Sequence, residues 1–97
     1  MEPKLRKLRI TFSVDKDSDE EDVQELCKDY RSHGYEKDEY GNFEISFSLN
    51  TILEYNEAIY FVKLIHEELE KSITEKGLKY RGLRWTPNET YNLGGDI

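Results

Sequence analysis

The sequence predicts an α+β fold of ferredoxin-like (βαββαβ) type: a two-layer sandwich with a four-stranded antiparallel sheet and two helices on one face. Three observations lead there. Several short segments alternate apolar and polar residues with a period of two. Two longer segments repeat apolar residues with a helical period. Turn and capping residues arrange these segments in the order strand, helix, strand, strand, helix, strand.

Residues 8 to 14, LRITFSV, alternate strictly. Leu8, Ile10, Phe12 and Val14 share one side and Arg9, Thr11 and Ser13 the other, the pattern of a half-buried strand. The following DKDSDEED predicts a helix start, with Ser18 and Glu21 spaced as a capping box and Asp19 and Glu20 at the positive end of the helix dipole. Val23, Leu26, Cys27 and Tyr30 then form an apolar stripe, and Gly34 closes the run near Arg31 and His33.

Residues 35 to 40, YEKDEY, and 43 to 49, FEISFSL, flank Gly41-Asn42, which predicts a hairpin with a two-residue type II′ turn. In its second strand Phe43, Ile45, Phe47 and Leu49 point one way, and the charged first strand is a protected edge. The longest periodic segment runs from Asn56 to Gly77, with Ala58, Phe61, Val62, Ile65, Leu69 and Ile73 on one stripe. Asn56 is its expected N-cap, Thr51 with Glu54 an alternative capping box, and Gly77 its left-handed stop. Leu78 to Thr86 form the last strand, with a bulge at Gly82 that moves the apolar face from Leu78 and Tyr80 to Leu83 and Trp85. Pro87 ends it, leaving residues 88–97 as a loose arm or a short added strand through Tyr91 and Leu93. The whole of residues 1–97 makes one domain, with the first strand central, the second at an edge and the basic residues gathered toward one side.

The net charge of -7 is uneven. Residues 1–14 hold four bases and one acid, whereas residues 15–39 hold four bases and eleven acids. A field concentrated in this way repels nucleic acid and attracts basic surfaces. A single cysteine excludes an internal disulfide or a multi-cysteine metal site. With no apolar run of spanning length and no secretory leader, the expectation is a soluble, cytoplasmic protein without membrane contact.

Catalytic and cofactor motifs of this fold class fail residue by residue. The open sheet face would carry Arg9, Thr11, Ser13, Glu44, Ser46 and Ser48, with no aromatic platform for RNA bases. There is no Cys-x-x-Cys for metal transfer, and the loop after the first strand is acidic where an acylphosphatase holds phosphate. Asp15, Asp17 and Asp19 alternate like the start of a calcium loop, but Glu20 and Leu26 stand where that loop needs glycine and a bidentate glutamate. His33 and His66 make no zinc spacing, Cys27 reads as a buried thiol, and Asn88-Glu89-Thr90 lacks the secretory context of a glycosylation site. No catalytic residue, metal or cofactor is expected.

The sequence therefore favours a small acidic, non-enzymatic protein-binding module that occludes a basic surface of a partner, as phage-encoded inhibitors and immunity proteins of similar charge and size do. The expected contacts are Asp17, Asp19, Glu20 and Asp22 in the acidic run, and Tyr35, Glu36, Asp38, Glu39 and Tyr40 at the hairpin. Tyr60 and Leu64 add an i, i+4 pair opposite the core stripe of the long helix, suited to a protein partner or to a second copy of the chain. Two other classes stay open. One is a nucleic-acid-binding or ribonucleoprotein-associated module using Lys4, Arg6, Lys7, Arg9, Lys79, Arg81 and Arg84. The other is a small-ligand regulatory domain.

Overall fold

The computed structural model describes the backbone of residues 4–91 and the side chains of residues 7–50 and 53–86. The elements in chain order are β1 (Lys4–Val14), α1 (Glu20–Asp29), β2 (Tyr35–Lys37), β3 (Phe43–Glu54), α2 (Tyr55–Glu75) and β4 (Tyr80–Tyr91). They form an α+β structure whose four strands pair antiparallel in the order β2-β3-β1-β4. Among the described residues no helix is long and apolar enough to cross a membrane.

The alternation in β1 decides which sheet face is covered. Leu8, Ile10, Phe12 and Val14 are all fully buried, and Phe43 and Ile45 of β3 join them. Val23, Leu26 and Cys27 from α1 and Leu69 and Ile73 from α2 pack on the same cluster, so both helices lie on that face. Beside it Leu8 meets Ala58 and Val62, with Leu53, Phe61, Leu83 and Trp85 at the margin. Each fully buried Leu, Ile, Val or Phe side chain contributes roughly 1.5–3 kcal/mol of transfer free energy.

Local chemistry relocates several boundaries. Asp19, not Ser18, caps α1: its carboxylate accepts the Glu21 N–H at 2.8 Å. Asp19→Ala should lower stability by about 1 kcal/mol, whereas Ser18→Ala should change little, as urea unfolding would register. The helix ends before Gly34. Arg31 takes the left-handed position at φ 55, with Ser32 N–H bonding Cys27 C=O at 2.7 Å and Arg31 N–H bonding Lys28 C=O at 3.2 Å, a Schellman stop.

The hairpin turn is longer than the predicted two residues, and β2 is shorter. Asp38 N–H bonds Asn42 C=O at 2.9 Å and Gly41 N–H bonds Asp38 C=O at 3.0 Å, enclosing a three-residue loop with Gly41 at φ 85. A glycine of positive φ there matches a turn followed by a bulge instead of a type II′ turn. The Asp38 carboxylate takes over the loop, accepting the N–H groups of Tyr40 at 2.8 Å and Asn42 at 2.9 Å.

α2 starts just before Asn56. Glu54 is the N-cap, and its N–H is bonded by the Glu57 carboxylate at 3.0 Å, so neither Asn56 nor Thr51 has the capping role. Residues 50–54 are strand, because β1 runs back to Lys4 and pairs with them through a register shift between Leu5 and Lys7. At the other end Gly77 supplies the left-handed stop and Leu78 N–H reaches Ile73 C=O at 3.1 Å. Leu78 packs on the core but precedes β4.

β4 continues through Pro87 to Tyr91. It is an edge strand, where a missing N–H can be tolerated, and the register shift between Lys7 and Leu8 lets Pro87 face Leu8 and Glu89 face Lys7. A second shift between Ser13 and Val14 sets Gly82 against Ser13 and Tyr80 against Val14, the bulge that Gly82 foretells. Residues 88–91 therefore belong to β4 and not to an arm, while Leu93 and the rest of 92–97 lie outside the described residues.

Candidate functional site

Charge separates by layer. α1 carries Glu20, Glu21, Asp22, Glu25 and Asp29 against Lys28, and α2 carries Glu57, Glu67, Glu68, Glu70 and Glu75 against Lys63 and Lys71. The strands hold seven of the fourteen bases, four of them in β1. Lys76 ties the two helices, its ammonium 3.3 Å from Asp29 and 3.4 Å from Glu25, and these bonds raise its pKa. The pair is exposed enough that it contributes under about 1 kcal/mol.

The expected acidic contacts divide into free and committed groups. Glu20 is exposed and Asp22 half-buried in the first turn of α1, and Asp17 is exposed with its N–H bonded to the Asp15 carboxylate at 3.1 Å. Asp19 is held by its capping bond. Asp38 is held by its loop: partial burial pushes its carboxyl up, and the Asn42 and Tyr40 N–H groups with the Asn42 amide outweigh that, leaving it below the ordinary carboxylate value. A lowered folded pKa stabilises above the unfolded value, about 4, and that contribution is lost as pH falls through the folded value. Asp38→Asn should therefore flatten the stability curve below about pH 4; an acid limb identical to the parent's would refute this.

The tyrosines divide similarly. Tyr40 is 72% exposed at the loop tip beside exposed Glu39. Tyr35 is half-buried, edge-on to Phe43 with ring centroids 5.1 Å apart, and burial followed by the Glu20 carboxylate raises its pKa. It belongs as much to the margin of the core as to a contact surface. Glu36 is exposed and stands directly across from Glu44 on the open sheet face.

The outward side of α2 is the largest departure from a solvated helix. Tyr60 is 66% and Leu64 45% exposed, and Tyr55 at 52% and Ile59 at 46% form a second exposed pair on a flank of the first half of the helix. The sequence reading missed Tyr55 and Ile59. Their i, i+4 spacing equals that of Tyr60 and Leu64, but the signal depends on starting the helix at Tyr55. Tyr55 is anchored from below by Trp85, with ring centroids 5.8 Å apart.

On the opposite face of the molecule the bare side of the sheet forms an open groove of about 910 Å³. Arg9, Thr11, Glu44, Ser46, Ser48 and Arg84 line its floor, and Arg31, Ser32 and His33 come to its wall from the loop between α1 and β2. That loop wall was not legible as part of any site. Thr11 and Ser46 hydroxyls bond at 2.8 Å. Arg84 pairs with Glu44, which raises its pKa, and Arg81 pairs with Asp15 at 3.4 Å, so two of the basic residues expected to face nucleic acid are already answered by acids. Lys7, Arg9 and Lys79 are exposed, and the side chains of Lys4 and Arg6 lie outside the described residues.

The remaining reactive types are occupied structurally. Cys27 is buried in the core, and its thiol pKa is raised by that burial. His66 Nδ1 lies 2.9 Å from the Tyr80 hydroxyl, whose pKa burial and the Glu70 charge push up to about 12. Among the described residues no three His, Cys, Asp or Glu side chains gather as a metal site. No protein-family model, curated protein or solved structure matches this chain.

Proposed function

We propose that this chain is a non-enzymatic protein-binding module built on the ferredoxin-like plan, and that it docks on a partner with a basic surface and occludes it. The plan is supported by the strand order β2-β3-β1-β4 with one helix following β1 and the other following β3. The binding role rests on one observation: the first half of α2 holds Tyr55, Ile59, Tyr60 and Leu64 out in solvent within an otherwise acidic helix. Tyrosine and leucine there give apolar contact area, and the carboxylates of both helices select and steer a basic partner. Glu20, Asp22 and Asp17 are the steering acids for this work, Glu20 lying beside the Tyr35 hydroxyl, with Glu39 and Tyr40 at the hairpin tip as a second contact.

The experiment is capture from cell lysate at low salt on immobilised parent protein, with Tyr60→Ala/Leu64→Ala and Glu20→Lys/Asp22→Lys columns alongside. One basic protein retained stoichiometrically by the parent and lost from both variants supports the reading. Equal retention on all three columns, recovery of nucleic acid, or an empty parent column overturns it.

A further inference from the structure

The open sheet face, away from the Tyr60–Leu64 patch, has a floor graded along the strands. The pairing register sets Ser13, Glu44 and Glu36 in one row, Thr11, Ser46 and Arg84 in the next, and Arg9, Ser48 and Thr86 in the third. Four strand residues separate the first row from the third, a distance of about 13 Å. One end of the groove therefore presents Glu36 beside the Glu44–Arg84 pair, the middle the Thr11 and Ser46 hydroxyls, and the other end the Arg9 guanidinium.

Among the described residues two cations at this groove have no acidic partner. Arg9 is exposed and, among the described residues, pairs with no acid. Arg31 likewise pairs with none, and it sits at a left-handed φ of 55 where glycine would be unstrained. A long cationic side chain at a position that costs backbone energy points to a role for that side chain.

We infer that this groove binds a small phosphorylated polyol, with Arg9 and Arg31 holding the phosphoryl group and Glu36 accepting hydroxyls at the far end. The guanidinium fork matches phosphate oxygens in paired hydrogen bonds, and an ionised carboxylate only accepts. The Thr11 and Ser46 hydroxyls between them fit the body of a hydroxylated ligand. A nucleic-acid strand fits worse. Its second and third phosphates would meet Glu36 and Glu44, and the aromatic residues bordering the groove, Tyr35, Phe47 and Trp85, pack their rings on the core side of the sheet and are not open to a base.

Amide-resolved NMR titration with ribose phosphate, inorganic phosphate, ribose and a short single-stranded oligonucleotide tests this. Ribose phosphate should move the amides of Arg9, Thr11, Arg31 and Ser46 and bind about tenfold tighter than inorganic phosphate. Arg9→Ala should weaken both phosphates by about tenfold, whereas Glu36→Gln should weaken ribose phosphate and leave inorganic phosphate unchanged. Arg31→Gly should raise Tm while weakening both, opposite signs that a purely structural arginine would not give. No shifts at millimolar ligand, shifts confined to another face, or oligonucleotide binding tighter than ribose phosphate and indifferent to Glu36→Gln would each overturn the assignment.

Discussion

Phe12→Ala is expected to lower the free energy of unfolding by about 3–5 kcal/mol, the range for deleting a fully buried aromatic ring. Phe12 is at 0% exposure in the centre of the sheet. Its ring meets Tyr30 edge-on with centroids 5.2 Å apart and Phe47 at 6.1 Å, while Tyr30 and Phe47 stack at 5.3 Å. Alanine removes the fully buried member of this trio, and the two half-buried rings cannot collapse into the space without leaving their own stack. A folded unit of this size has only about 5–15 kcal/mol in total, so the urea midpoint should fall by a large fraction with little change in slope. A loss under about 1 kcal/mol would mean that the aromatic trio is not packed in this way.

Tyr60→Ala/Leu64→Ala is the second large effect, on binding and not on folding. Both side chains stand opposite the core stripe, so stability should stay within about 0.5 kcal/mol of the parent. Central aromatic and apolar anchors of an interface cost about 2–4 kcal/mol when truncated, which is roughly thirtyfold or more in Kd, carried mainly by faster dissociation. Glu20→Lys/Asp22→Lys should differ in kind: slower association and a shallower salt dependence, with dissociation little altered. Asp19 is best left out of that reversal, since losing its bond to the Glu21 N–H would weaken α1 and confuse the result. If both double variants change the same rate constant, the division between anchor and steering is wrong.

Periodicity located the buried faces, although Phe61 and Ile65 of the α2 stripe and Phe47 and Leu49 of the β3 face are only half-buried. Leu8, Ile10, Phe12 and Val14 are buried as their alternation requires, and Ala58, Val62, Leu69 and Ile73 are buried as their helical spacing requires. Burying apolar surface is the dominant favourable term, so a period that puts it on one face settles which face turns inward. Boundaries were less legible because they turn on single hydrogen bonds. Ser18 and Asp19 are both acceptable caps, and only the course of the chain leaving β1 gives the Glu21 N–H to Asp19. The same holds at Arg31, where sequence favours the nearby glycine but Ser32 N–H bonds back to Cys27 and ends the helix three residues sooner.

The sequence by itself determined the α+β character, the core stripes, the acidity of the helical segments and the Tyr60–Leu64 pair, since each is written in residues near one another along the chain. Tertiary structure alone decided which charges remain available and which distant residues share a surface. Glu44 and Arg84 are forty positions apart and pair across β1, and Arg31 reaches the same groove as Arg9 through the loop that leads into β2. Strand register brings such residues together, and register is a property of backbone pairing over the whole sheet. Local periodicity therefore fixed what is buried, while long-range pairing fixed what the surface can bind.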